Sequence, residues 1–277
     1  IRAHLGIPGN HTVICGLSAQ LGSAMFQTSV TGQIATLTMS SPPVNALSEA
    51  WIAEFSREIA EVEARDNWKV LHLRSDQKVF CAGADLKEMS VRFHAADGPD
   101  RTYAYVASIQ RLYARIESLP RVTLAEIGGA ALGGGFELAL ACDLRIAAVE
   151  AKLGLPEVKL GLIPGAGGTQ RLTRLVGRGV ANRLILGAEA VDGATAERLG
   201  LVQWACPRAE LADRATDVAK CIAALPAAAL AAAKRCVASA AIPGRGGYGD
   251  ELELTRELQT DAETRDRVGA FIAGARI

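Results

Sequence analysis

Two glutamates, Glu137 and Glu157, are the residues best suited to acid/base chemistry. Glu137 lies in the first turn of a predicted helix that follows three glycines, and Glu157 comes after Pro156 in an apolar stretch. Burial raises the pKa of a carboxyl group and makes it a candidate general acid. A carboxylate at a helix start is, however, also stabilised by the helix dipole alone. The two residues would form an acid/base pair if they entered one apolar cleft, and their spacing does not show that they do.

The glycine cluster Gly133, Gly134 and Gly135 is the second feature with chemical meaning. Glycines that open a helix leave backbone N–H groups unobstructed at its positive end, where they can stabilise an anion or a developing negative charge. A tight strand-to-helix turn that needs glycine for its backbone angles explains the cluster equally well. The pattern is neither GxGxxG nor GxxxxGK[ST], which argues against nucleotide-phosphate binding through those motifs.

The elements around these residues alternate between strand and helix, and they predict an α/β fold with a sheet covered by helices. The predicted strands lie at 34–39, 70–73, 122–127 and 144–148. The predicted helices run from a cap at Ser48 to about Ala64, over 101–118, and from the glycine cluster to Ala141. The polar stretch 88–100, which carries Gly98 and Pro99, predicts a mobile loop.

Beyond Gly161 the patterns are mostly helical. They predict helices near 167–176, 178–187, 192–199, 208–224, 226–239 and 250–273, with one strand near 201–206. The change of class predicts an α/β core over 25–205 and an Ala-rich helical region over 206–277, whose apolar faces must be buried against the core or another subunit. Residues 1–24 lack a compact hydrophobic region, and Met25 suits a natural start, so we interpret 1–24 as an extension without a part in the chemistry.

Composition narrows the possible partners. Lys+Arg and Asp+Glu number 30 each, so no net charge attracts nucleic acid or an anionic membrane. The cysteines and histidines show no metal-ligand spacing, which predicts neither a metal site nor a disulfide framework. No apolar run reaches the roughly 18–20 residues that span a bilayer. We expect a protein of a reducing compartment, bacterial cytoplasm or mitochondrial matrix, that is not secreted and acts on a small molecule.

Three segments together resemble the signatures of the enoyl-CoA hydratase/isomerase (crotonase) superfamily. They are FCAGADLKEM at 80–89, ALGGGFELALACD at 131–143 and LGLPEVKLGLIPGAGGTQRL at 153–172. The similarity runs from about Ile34 to Ala240 and is closest to true hydratases, including the methylglutaconyl-CoA hydratase branch. It implies a spiral of repeated ββα units followed by a C-terminal helical region that assembles homotrimers, often paired into hexamers.

The resemblance also implies roles for individual residues. The backbone N–H groups of Ala84 and Gly134 would form an oxyanion hole for the thioester carbonyl. Glu137 would activate water for attack at C3, and Glu157 would deliver the proton to C2. The other positions implied to contact the acyl-CoA substrate are Ala82, Asp85, Leu86, Lys87, Gly133 and Phe271, with Lys87 placed to reach the CoA phosphates or adenine. No cofactor is implied, because coenzyme A is part of the substrate.

The presence of both glutamates favours hydration of a 2-enoyl-CoA, as in fatty-acid β-oxidation, since family isomerases commonly need only the acid at position 157. A Δ3-Δ2-enoyl-CoA isomerase, or another CoA-thioester reaction, is the alternative. Zero net charge disfavours an RNA-binding protein, and retention of both acids disfavours a non-catalytic CoA-binding subunit. The stretch between Leu258 and Phe271 is several residues shorter than the family pattern, which weakens the expectation that Phe271 covers the CoA of a neighbouring subunit. The spacing of Arg171 and Arg174 is more typical of a solvated or intersubunit helix face than of a phosphate site.

Overall fold

A six-stranded sheet forms the centre of the computed structural model, which describes residues 24–240 and 247–275. In spatial order its strands are β1 (Phe26–Thr31), β2 (Ile34–Met39), β3 (Val70–Ser75), β4 (Val122–Ile127), β6 (Leu144–Ala148) and β9 (Trp204–Cys206). The pair β1–β2 is antiparallel, and every other neighbouring pair is parallel. A smaller sheet contains β5 (Ala131–Leu132), β7 (Lys152–Gly154) and β8 (Ala190–Asp192). The predicted extension lies outside the described residues, apart from Ala24.

Helices follow most of the strands. They are α1 (Glu49–Glu63), α2 (Leu86–His94), α3 (Gly98–Ser118), α4 (Gly134–Ala141), α5 (Gly168–Leu186), α6 (Gly193–Arg198), α7 (Leu211–Ala223), α8 (Ala227–Ser239), α9 (Gly247–Leu258) and α10 (Ala262–Ile272). Two short 3-10 turns cover Glu157–Leu160 and Arg208–Glu210. The predicted α/β class and the central strands and helices are confirmed.

The core lies on both faces of the parallel strands. All six residues of β4 are buried, as expected for a parallel strand covered on both sides. Helix α7 packs against β2, β3, β4 and β6. The ring of Phe26 in β1 stacks on Phe55 of α1 at a centroid distance of 5.2 Å, which ties the edge strand to the first helix. These contacts place the loops that follow β3 and β4 side by side.

Strand β1 was not predicted from the sequence. Its six residues, FQTSVT, are mostly polar, and only Phe26 is buried. The strand is stabilised by complete antiparallel pairing with β2, from Phe26 opposite Met39 to Thr31 opposite Ile34. A half-exposed edge strand of this kind has no hydrophobic run of its own to reveal it.

The predicted mobile loop at 88–100 is wrong, because helix α2 and the start of α3 occupy this stretch. The carboxylate of Asp85 caps α2 by accepting backbone hydrogen bonds in its first turn. The side chain of Arg92 is buried, 3.1 Å from a carboxylate oxygen of Glu49 and 4.0 Å above the ring of Tyr105. These partners lie far away in sequence, so the polar composition of the stretch did not indicate a helix.

The C-terminal helices differ from the prediction in one place. The single helix expected over 250–273 is two helices, α9 and α10, separated at Gln259–Asp261. Asp261 caps α10 by accepting from the backbone N–H of Thr264 at 2.8 Å. By contrast, the break predicted between 176 and 178 is confirmed, since Gly177 interrupts α5 with a φ of 74°.

No single helix within 24–240 and 247–275 is long and apolar enough to cross a membrane. One pair of helices in the described part of the chain, 208–223 and 227–239, reaches that length and composition when taken together, and it is bent by 102°.

Candidate active site

Glu137 lies in the first turn of α4 and is almost completely buried, with 2% of its surface exposed. Its Oε1 accepts a hydrogen bond of 2.7 Å from the backbone N–H of Gly168, the first residue of α5. Burial raises the pKa of the Glu137 carboxyl to about 7, because the charged form loses its hydration. The hydrogen bond from Gly168 opposes this shift, and the charge of Glu157 adds to it. The carboxyl is therefore suited to exchange a proton near neutral pH.

Glu157 begins the 3-10 turn after Pro156 and is half-buried. Burial raises the pKa of its carboxyl as well. Its Oε2 is buried and has no hydrogen-bond partner in the described part of the chain. Buried polar atoms without partners are rare in native proteins, so an unpartnered carboxyl oxygen is a natural place for a substrate or water to bind.

Both carboxyl groups lie against the same short piece of backbone. A Cβ atom added to Gly133 would stand 3.0 Å from Oε1 of Glu157, and one added to Gly134 would stand 3.9 Å from Oε2 of Glu137. Gly133 also has a φ of 53° and a ψ of −129°, a conformation that residues with a side chain rarely adopt. The tertiary structure thus brings the two acids together at the start of α4, which the sequence spacing alone did not show.

The loop after β3 approaches this helix start closely. A Cβ atom added to Gly83 would lie 2.8 Å from the carbonyl oxygen of Leu132 and 3.3 Å from the backbone nitrogen of Gly134. Within residues 24–240 and 247–275, neither the N–H of Ala84 nor that of Gly134 donates to a protein acceptor. Two unused donors next to two carboxyl groups can bind an oxygen that gains negative charge.

The remaining predicted contacts surround this loop. Ala82 donates its N–H to the carbonyl of Val44 at 3.0 Å, and Asp85 uses its carboxylate to cap α2. Leu86, 63% exposed, and Lys87 project from the first turn of the same helix. These side chains are accessible beside the site, and their contacts with CoA stay predictions.

Phe271 lies away from the candidate site of its own chain. It lies near the end of α10 and is 67% exposed. Helix α10 is held near the start of β3, where Glu263 lies 4.0 Å from Lys69, and by a hydrogen bond from Arg267 to the carbonyl of Ala224. The expected contact of Phe271 with the CoA of a neighbouring subunit stays a prediction.

Comparison with known proteins identifies the family. The sequence profile described as Enoyl-CoA hydratase/isomerase matches residues 29–271, which is most of the chain. The chain belongs to the enoyl-CoA hydratase/isomerase family. Its members act on CoA thioesters, and the fold and the three signature segments agree with this membership.

Individual relatives support the assignment. A "Probable enoyl-CoA hydratase" of Bacillus subtilis is 43% identical over 187 residues, covering 67% of this chain and 71% of that protein. The mitochondrial methylglutaconyl-CoA hydratase of the mouse is 41% identical over 172 residues, covering 62% of this chain but 53% of the mouse protein. The crystal structure of an enoyl-CoA hydratase from Bacillus anthracis superimposes with a TM-score of 0.85 at 32% identity, covering 91% of this chain and 97% of that one. The predicted crotonase-like fold is thereby confirmed.

Two further residues support the site. The sequence did not indicate Tyr113, and its pattern placed Arg171 on a solvated or intersubunit helix face, whereas the Arg171 side chain is only 10% exposed. Tyr113 of α3 is buried and donates its hydroxyl proton to the carbonyl of Gly134 at 2.8 Å. Arg171 of α5 donates to the carbonyl of Ala166, just before the Gly168 that binds Glu137. The only sequence signal for Tyr113 is a hydroxyl on the apolar face of a helix, where it needs a partner. In the described residues no cluster of three or more His, Cys, Asp or Glu side chains could hold a metal ion.

Proposed function

We propose that this chain catalyses the reversible addition of water across the 2,3 double bond of a 2-enoyl-CoA thioester, giving a 3-hydroxyacyl-CoA. The observation that carries the proposal is that the carboxyl groups of Glu137 and Glu157 lie against one short backbone segment. Beside them are the N–H groups of Ala84 and Gly134, which donate to no protein acceptor within 24–240 and 247–275. The family membership and the hydratases among the relatives support it.

Each group has a task in the proposed reaction. The thioester oxygen accepts hydrogen bonds from the N–H groups of Ala84 and Gly134, which stabilise the enolate charge that develops as water attacks. Glu137 takes a proton from that water as its oxygen bonds to C3, and Glu157 gives a proton to C2. The water proton on Glu137 then replaces the one lost from Glu157 through solvent exchange, so the enzyme returns to its starting state. Every step uses groups of the chain and substrate, and we propose no cofactor.

The scheme requires that the two acids together carry one proton. When substrate is bound, this proton must be on Glu157. In the free chain Glu137 is the more deeply buried of the two, and burial favours its protonated form. An acyl-CoA that covers the half-buried Glu157 carboxyl would remove its remaining hydration and raise its pKa further. We therefore expect substrate binding to move the shared proton toward Glu157.

The direct test is hydration of crotonyl-CoA, followed by loss of the enoyl absorbance. Replacing a general acid or base typically costs at least about 100-fold in rate, and we expect such a loss for both Glu137→Gln and Glu157→Gln. Glu251→Gln, at an exposed position on α9, is the control for the same chemical change. Wild-type activity in either of the first two variants would refute the role of that residue.

Isomerisation is distinguished by a second substrate. A 3-enoyl-CoA incubated in labelled water reports double-bond migration without net addition of oxygen. An isomerase would replace the hydratase proposal if three results were found together. The wild type would show no hydration, Glu137→Gln would keep the isomerase activity, and Glu157→Gln would lose it. The substrate panel should include methylglutaconyl-CoA, because three relatives carry its hydration in their names.

We also propose that the chain assembles into a trimer or a dimer of trimers through its C-terminal helices. The exposed apolar residues on α9 and α10 support this assembly, and they include Leu252, Val268, Phe271 and Ile272. Exposed apolar side chains that lie close together often mark a protein–protein interface. Light scattering coupled to size-exclusion chromatography measures the mass, and a monomer at micromolar concentration would contradict the proposal.

A further inference from the structure

Arg171 is a largely buried charge close to the site but not within it. It lies one turn into α5, and its side chain is only 10% exposed. Nε and Nη2 both approach Oε2 of Glu117 on α3, at 3.0 and 2.8 Å. A cation is buried to this degree in proteins only when its hydrogen bonds are satisfied, so these contacts define the position of the guanidinium.

The third nitrogen of the guanidinium holds the segment 165–168. Nη1 donates to the carbonyl of Ala166 at 2.9 Å. It also packs on the bare Cα of Gly167, where an added Cβ atom would stand 2.3 Å from it. A second anchor comes from α3, since Nε2 of Gln110 donates to the carbonyl of Gly165 at 2.6 Å. The segment is therefore attached to α3 at two points, one of which is Arg171.

This segment delivers the hydrogen bond that Glu137 receives. Gly168 follows the carbonyl held by Arg171 by two residues and donates its N–H to Oε1 of Glu137 at 2.7 Å. The fit is tight, because a Cβ atom on Gly168 would stand 2.8 Å from the same oxygen. A displacement of the segment would move this donor away from the carboxyl group.

Arg171 also acts on Glu137 through its charge. Three titratable groups on the elements packed around Glu137 interact with it electrostatically. They are Glu157 of the 3-10 turn, Arg171 of α5 and Tyr113 of α3. The positive charge of Arg171 lowers the pKa of Glu137, against the larger effect of burial. Burial and the Glu157 carboxylate both raise the pKa of Glu137, and the charge of Arg171 opposes them. The pKa of Glu137 should therefore rise when that charge is removed.

We propose that Arg171 is a positioning residue, which holds the 165–168 segment and its Gly168 N–H against Glu137. Its effect on catalysis rests on the proposed function, while its effect on the titration of Glu137 does not. Arg171 contacts neither acid directly, so it acts through Ala166, Gly168 and the electric field.

The test compares Arg171→Met, which removes both effects, with Arg171→Lys, which keeps the charge but cannot contact Ala166 and Glu117 with a planar fork. Arg174→Met, an exposed arginine of the same helix, is the matched control. For each variant kcat and KM are measured from pH 5.5 to 9. The carboxyl of Glu137 is titrated by carbon-13 NMR and assigned with Glu137→Gln.

We expect Arg171→Met to lower kcat by about 10- to 100-fold, the range caused by misplacing a catalytic group by up to 1 Å, with little change in KM. Its acid limb in kcat/KM and the NMR titration of Glu137 should both move to higher pH. Arg171→Lys should recover the titration but only part of kcat. Arg174→Met, as a surface change, should alter kcat by less than about twofold.

Several outcomes would overturn the proposal. The first is that Arg171→Met has the same pH profile and kcat as the control Arg174→Met. The second is that kcat falls in Arg171→Met while the titration of Glu137 does not shift. If Arg171→Met does not fold, judged by circular dichroism, wild-type kcat in Arg171→Lys is the refuting result. A wild type without hydratase activity would instead refute the proposed function, and the NMR titration would still decide the role of Arg171.

Discussion

Replacing Glu137 by glutamine should make the protein more stable above neutral pH. The carboxyl pKa is about 7 in the folded chain against an ordinary value of 4.5, because burial disfavours the charged form. A group whose pKa is raised by folding contributes its full stability below the unfolded value and loses it as the pH rises through the folded value. The wild type therefore loses stability between pH 4.5 and 7. Glu137→Gln does not, because glutamine does not titrate.

The magnitude follows from the same two pKa values. A difference of about 2.5 corresponds, at 1.36 kcal/mol for each pH unit, to about 3 kcal/mol of stability lost by the wild type and not by Glu137→Gln. About 2.5 kcal/mol of this lies between pH 5.0 and 8.5, where the protein can be compared in one buffer series. Glutamine can still accept the hydrogen bond from Gly168, so the substitution mainly removes the titration.

The assay is urea unfolding of both proteins at fixed concentration across that pH range, with Glu251→Gln as the control for an exposed glutamate. The difference in unfolding free energy between Glu137→Gln and the wild type should grow with pH and level off above pH 7. The control should show no such growth. A difference that stays constant from pH 5.0 to 8.5 would refute the raised pKa and, with it, the argument that Glu137 exchanges protons near neutral pH.

Two further substitutions test the packing around the site and the sheet. Gly168→Ala would push a methyl group against Glu137 and should abolish most hydratase activity, whereas Gly179→Ala, in open space on the same helix, should keep it and gain up to about 1 kcal/mol of stability. His72→Val would remove the ring nitrogen that lies 2.8 Å from the buried carboxylate of Glu126 and should cost about 1–3 kcal/mol in urea unfolding. Adding Glu126→Val should restore much of that loss, and no recovery would contradict the pairing.

The sequence alone carried the type of chemistry. Glu137, Glu157 and the glycines before α4 were candidates because proton transfer and stabilisation of a negative charge need those residue types. Their separate roles were implied by the resemblance to the family. Most strands and helices also followed from local patterns, since hydrophobic periodicity is a property of neighbouring residues. The break at Gly177 was visible for the same reason.

Other features depended on residues distant in sequence. The helix over Leu86–His94 forms where a loop was expected, because Arg92 is buried between Glu49 of α1 and Tyr105 of α3. Strand β1 exists because β2 supplies its hydrogen bonds. No local pattern encodes such partners, so a polar segment does not reveal whether it will be buried.

The relation between the two glutamates shows the same division. From the sequence they were acids in suitable surroundings, and only the packing of the 3-10 turn against Gly133 placed Glu157 beside the helix start that carries Glu137. The pKa of Glu137, and the arginine that opposes its rise, are likewise consequences of burial and distance in the folded chain. Residue type determines which proton transfers are possible. Tertiary structure decides at which pH they occur, because desolvation and Coulomb interactions depend on neighbours that the linear order does not reveal.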